Sequence, residues 1–80
     1  MHVVMYTRKG CHLCEDAWQM LAEARWTYGF DLESVDVDGS AELVALYGNW
    51  VPVVTVNGEV RFRGRVNRVL LQRVLDTRLQ

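Results

Sequence analysis

With 80 residues the chain has room for one domain, 1–80, and no second core. Half of the residues are hydrophobic and 24% are charged, a balance that excludes a disordered chain. A net charge of -1 argues against general affinity for nucleic acid or anionic membrane, so neither is expected as a partner. The balance hides an asymmetry. Glu15, Asp16, Glu23, Asp31, Glu33, Asp36, Asp38 and Glu42 lie in the first half, whereas Arg61, Arg63, Arg65, Arg68, Arg73 and Arg78 crowd the end.

His2 to Thr7 is a short, β-prone, mostly apolar run that reads as a buried strand, broken by Arg8-Lys9-Gly10. The N-terminal run Met1 to Tyr6 gives way to polar residues at once and lacks the apolar core of a signal peptide and the length of a membrane span, so a cytoplasmic protein is expected. From Cys11, the positions Leu13, Ala17, Met20, Leu21 and Ala24 follow helical spacing, and the helix ends near Tyr28-Gly29. Trp18 and Trp26 lie near one face of it and are read as structural. Phe30 to Val37 alternates as a strand with one slip, at Ser34.

Asp38-Gly39-Ser40 offers turn and capping chemistry for a short second helix carrying Leu43, Leu46 and Tyr47, which Gly48 closes. Pro52 to Val56 and Glu59 to Phe62 flank Asn57-Gly58, a dipeptide suited to a two-residue hairpin turn. After Gly64, the residues Val66, Val69, Leu70 and Val74, with Leu71 and Leu75, form the apolar face of a closing helix. The order is βαβαββα. Helical crossovers join parallel neighbours and a tight turn joins antiparallel ones, which gives an α/β fold: a four-stranded mixed sheet with helices on both faces.

The informative motif is Gly10-Cys11-His12-Leu13-Cys14, where a strand hands over to a helix. A thiol in the first helical turn faces unpaired backbone N–H groups and the positive end of the helix dipole, which favour the thiolate. Arg8, Lys9 and His12 add positive charge nearby. Cys14, three residues on, returns to the same face, within disulfide range. Cys11 can then attack a substrate disulfide and Cys14 can resolve the mixed disulfide. The bland alternative is a pair of small buried hydrophobes. A zinc site lacks a second cysteine pair, and the histidines are His2 and His12, so no metal is expected.

Tyr6 to Cys14, Asp36-Val37-Asp38, Glu42-Leu43, Tyr47-Gly48 and Val51-Pro52-Val53 together resemble the glutaredoxin family of the thioredoxin-fold superfamily over nearly the whole chain. The resemblance implies a cis Pro52 and a Val51 backbone that pairs with substrate beside Cys11. It implies glutathione held by Arg8, by the Val51-Pro52 segment and by a Gly-Gly turn followed by an acidic or hydroxyl residue. Here that last stretch reads Arg63-Gly64-Arg65-Val66-Asn67, which departs from the pattern. Gly64 and Arg65 are the candidates in its place, Arg65 as a two-pronged carboxylate contact or as a solvated surface cation. Trp50 could wall the substrate groove or pack in the core.

The expected function is a thiol–disulfide oxidoreductase, acting on protein disulfides or glutathione mixed disulfides. No bound cofactor is expected, glutathione is a candidate co-substrate, a reductase is a candidate electron donor, and the chain is expected to be a monomer. Two other readings stand beside it. One is an iron–sulfur or metal carrier that uses Cys11, and the other is a non-catalytic adaptor with idle cysteines.

Overall fold

The structure, a computed structural model, describes the backbone of residues 1–79 and the side chains of residues 1–77; Gln80 and the Arg78 side chain lie outside the described residues. Four strands and three helices follow in the order β1 His2–Thr7, α1 His12–Tyr28, β2 Asp31–Asp36, α2 Ala41–Tyr47, β3 Val53–Val56, β4 Glu59–Arg63 and α3 Arg68–Leu79. A single 3-10 turn, Val37–Gly39, joins β2 to α2.

The sheet runs β2-β1-β3-β4. β1 and β2 are parallel, with Thr7 beside Asp36, while β3 is antiparallel to both β1 and β4. This corrects the simple crossover rule: the chain leaving α2 does not return beside β2 but inserts next to β1. Composition explains the placement. Every residue of β3 is buried and β1 has a buried centre, so both suit the interior, whereas Asp31, Glu33, Ser34 and Asp36 suit β2 to an edge.

Alternation along β1 sends Val3 and Met5 to one face, where they join Ala17 and Leu21 of α1, Val54, Val56 and Phe62 of the hairpin, and Leu71 and Leu75 of α3. Tyr6 faces the other way and meets Tyr47 of α2, ring centroids 4.7 Å apart. Helices therefore cover both faces, two on one and α2 on the other. α2 buries no residue fully.

Local chemistry fixes the ends of the elements. Ser40 caps α2, its hydroxyl accepting from Leu43 N–H at 3.3 Å, and Asn67 caps α3 by accepting from Leu70 N–H at 3.1 Å. Asn57 and Gly58 both take positive φ, 51° and 84°, as a tight hairpin requires. Gly48 closes α2 in right-handed conformation. It must be glycine for another reason: a Cβ there would stand 2.6 Å from the Val44 carbonyl oxygen.

Two expectations about packing are corrected. On α3 the buried residues are Leu71 and Leu75, while Val69 and Leu70 are 56% and 49% exposed. Leu71 and Leu75, an i, i+4 pair, lie on one face of the helix and enter the core, with Val74 half-buried beside them. Trp26 is not structural: it stands 92% exposed, whereas Trp18 is half-buried against the core. No helix among the described residues is long and apolar enough to cross a membrane.

Candidate active site

β1 ends at Thr7, and the loop Arg8-Lys9-Gly10 turns the chain into α1 with Gly10 at φ 80°. Cys11 is the N-cap of α1 in extended conformation, and its sulfur accepts the Cys14 backbone N–H at 3.1 Å. A thiolate at that atom would be met by a backbone dipole and by the positive end of a helix of 17 residues. Cys11 and Cys14 are joined as a disulfide with Cα atoms 5.2 Å apart. Cys11 is half-buried, whereas Cys14 is 2% exposed and belongs to the core. One sulfur can meet an incoming substrate, and the other waits behind it.

The antiparallel register sets Val53 against Tyr6, so the segment entering β3 lies at the same end of the sheet as the loop leaving β1. That segment is Trp50-Val51-Pro52, with a cis Val51–Pro52 bond, as the resemblance implied. Pro52 is buried, Val51 half-buried, and Trp50 55% exposed, which leaves the indole in solvent and not in the core. Trp50 N–H donates to Tyr47 O at 2.8 Å. Gly64, at φ 81°, shares its N–H between Trp50 O and Pro52 O at 2.9 and 2.8 Å. Trp50, Val51, Pro52 and Gly64 are thus one hydrogen-bonded unit. Arg65, the next residue, is exposed and lines a separate depression with Leu13, Asp16 and Ala17 of α1.

The three cations near the motif differ. Arg8 donates through Nε and Nη2 to the two carboxylate oxygens of Asp38 at 3.1 and 2.5 Å, and through Nη1 to Gly48 O at 3.1 Å. The hydrogen-bonded Asp38 raises the Arg8 pKa, and Arg8 in turn lowers that of Asp38. His12 points into solvent, 93% exposed, with Nδ1 3.6 Å from a Glu15 carboxylate oxygen. Lys9 is exposed and has no ion-pair partner among the described residues. No group of three His, Cys, Asp or Glu side chains among the described residues is placed to hold a metal.

On the side of the disulfide toward β2 lies an open groove of about 670 Å³, lined by Cys11, Cys14, Lys9, Glu15, Trp18, Ser34 and Asp36 among others. Sequence reasoning did not find it, although it left a trace. Ser34 falls where the alternation of β2 would place a larger apolar residue, and together with Asp36 it leaves the space between β2 and α1 unfilled. The pairing of Asp38 with Arg8 is likewise invisible in the sequence, because the two lie 30 residues apart.

A model of the glutaredoxin-like domain family (DUF836) matches residues 2–76. The chain is 38% identical over 61 residues to an uncharacterized protein of Mycobacterium tuberculosis, a match that takes in 70% of this chain and 63% of that protein. It therefore spans less than two thirds of that relative's length. It is 28% identical over 83 residues to a probable thioredoxin of Methanothermobacter thermautotrophicus, covering 100% of this chain and 98% of that one. Among solved structures it is similar to a structural-genomics target protein from X. campestris, with 32% identity, a TM-score of 0.78 and coverage of 94% and 96%. An oxidised thioredoxin from Plasmodium falciparum, at 20% identity and TM-score 0.67 over 99% of this chain and 81% of that one, shares the fold.

Proposed function

The chain belongs to the glutaredoxin-like domain family, and from that premise we propose that it is a thiol–disulfide oxidoreductase working through Cys11 and Cys14. Its substrates are protein disulfides or glutathione mixed disulfides. The observation that carries this reading is the Cys11 sulfur at the N-cap of α1, where it accepts the Cys14 amide.

In the reduced protein the Cys11 thiolate attacks one sulfur of the substrate disulfide. A Cys11–substrate S–S bond forms, the substrate S–S bond breaks, and the second substrate sulfur leaves as a thiolate that takes a proton from solvent. Cys14 then loses its proton and attacks the Cys11 sulfur, closing the internal disulfide and releasing the remaining substrate thiolate. Two electrons pass from the dithiol to the substrate. Two glutathione thiols, oxidised to their disulfide, or the dithiol of a reductase restore the starting state. A reducing cytoplasm suits this cycle, since it keeps the pair available as thiols.

The surroundings support the same reading. Trp50 and Val51 enter β3 at the end of the sheet where β1 leads into the motif, and the Gly64 N–H holds their backbone through Trp50 O and Pro52 O. Lys9 and His12 add positive charge from solvent, where screening limits each to a small effect. The test is titration of the purified protein against glutathione redox buffers, with acid trapping of mixed disulfides. A defined two-electron potential and a trapped adduct on Cys11 are expected. A pair that stays inert across the whole buffer range overturns the proposal.

A further inference from the structure

The Arg8 guanidinium is occupied on two sides. Asp38 takes Nε and Nη2 as a two-pronged pair, and the Gly48 carbonyl takes Nη1. The sheet explains the meeting. β1 and β2 run parallel with Thr7 beside Asp36, so the residues that follow each strand emerge side by side. Asp36 holds the turn by accepting from Asp38 N–H at 2.9 Å.

On the far side, Gly48 ends a helix of 7 residues that buries none of them fully. What ties that helix end to the sheet is Tyr47 against Tyr6, together with Arg8 on the Gly48 carbonyl. The backbone there is tightly packed, since Gly48 has no room for a Cβ. Two residues on, Trp50 is bonded to Tyr47 O and to Gly64 N–H, and it leads directly into Val51-Pro52. One side chain therefore spans from the loop that precedes Cys11 to the end of the helix that leads into the cis-proline segment.

We infer that Arg8 is a positioning residue for the exchange reaction, fixing the Cys11 loop through Gly48 against the end of α2 that leads into the Val51-Pro52 segment, with Asp38 aiming it. The inference rests on the oxidoreductase reading. Its chemistry is that of the fork: three donors in one plane reach three acceptor oxygens on two residues of different elements, which a lysine ammonium on a flexible stem cannot do in the same geometry. Three of the five guanidinium N–H groups are committed to the fold in this way.

The experiment compares Arg8→Lys, Asp38→Asn and the double variant, each checked for folding by circular dichroism. Turnover is measured on a glutathionylated peptide and on a protein disulfide, and amide hydrogen exchange is measured by NMR at Trp50 and Gly64. Both single variants should lower kcat by about tenfold on both substrates, a size in keeping with misplacement of reacting groups. The double variant should be no worse than the poorer single one. Exchange at Trp50 and Gly64 should speed up in both, relative to the amides of α1.

If Asp38→Asn instead lowers KM for the glutathionylated peptide while Arg8→Lys keeps full activity, Arg8 is a binding cation and the inference fails. It fails equally if thermal stability falls while kcat and the two exchange rates do not move. Absence of turnover by the unaltered protein on both substrates would count against the oxidoreductase reading instead. The amide exchange rates would still decide whether Arg8 fixes the segment.

Discussion

The backbone N–H of Cys14 donates to the sulfur of Cys11 across 3.1 Å, so the residue assigned to resolve the mixed disulfide also steadies the attacking atom through its amide. That amide is one of the unpaired donors at the start of any helix, and here a sulfur takes the place usually filled by a serine or aspartate oxygen. In the proposed exchange the half-buried Cys11 sulfur meets substrate first and the buried Cys14 sulfur follows.

In the reduced protein, Cys11 should therefore alkylate as a thiolate at a pH below that of an ordinary free cysteine, because the helix start favours the thiolate. The pH dependence of iodoacetamide labelling measures it. Because the His12 side chain is 93% exposed and lies beside Glu15, His12→Ala should leave the labelling profile close to that of the wild type. Cys11→Ser should abolish turnover, and Cys14→Ser should keep one-thiol activity when glutathione is the partner.

Gly48→Ala should destabilise the protein by about 1–3 kcal/mol, the usual cost of forcing atoms into filled space, because its Cβ would meet the Val44 carbonyl at 2.6 Å. The same methyl crowds Arg8 Nη1, at 3.4 Å. Urea unfolding gives the stability change, and a simultaneous drop in kcat would show the disturbance reaching the site.

Arg8 lowers the folded pKa of Asp38 below its ordinary 3.8. A depressed carboxyl stabilises the fold above its unfolded value and loses that contribution as the pH falls through the folded one. At neutral pH the wild type should thus be more stable than Asp38→Asn, and the gap should close below about pH 4. Denaturant midpoints at pH 7 and pH 3 decide it.

At the opposite end of the molecule Tyr28 Oη donates to Asp76 Oδ1 at 2.5 Å, linking α1 to α3, and this bond raises the phenol pKa above 10.0. A raised folded pKa contributes stability in full below the unfolded value and loses it as the pH rises through the folded one. The advantage of wild type over Tyr28→Phe should persist to about pH 10 and vanish above it, which unfolding curves at pH 8 and pH 11 test.

Leu21→Ala, which empties a fully buried position between α1 and the sheet, should cost about 2–5 kcal/mol. Trp26→Ala should change stability by less than about 0.5 kcal/mol, because that indole is 92% exposed. Thermal or chemical unfolding of the two variants separates core from surface, although both residues lie on the same helix.

The features legible in the amino-acid order were the local ones. The βαβαββα succession, the start of α1 at the cysteines, the Ser40 cap and the Asn57-Gly58 turn each depend on a few consecutive residues whose spacing and φ preferences act at short range. The tertiary structure alone decided what depends on register between distant segments. It placed β3 beside β1, turned Leu71 and Leu75 inward and Trp26 outward, opened the groove over Ser34, and delivered Arg8 to Asp38 and Gly48. A strand's pattern says which face is apolar but not which strand will lie next to it, and a charged side chain's partner is whatever that neighbour brings within hydrogen-bond reach.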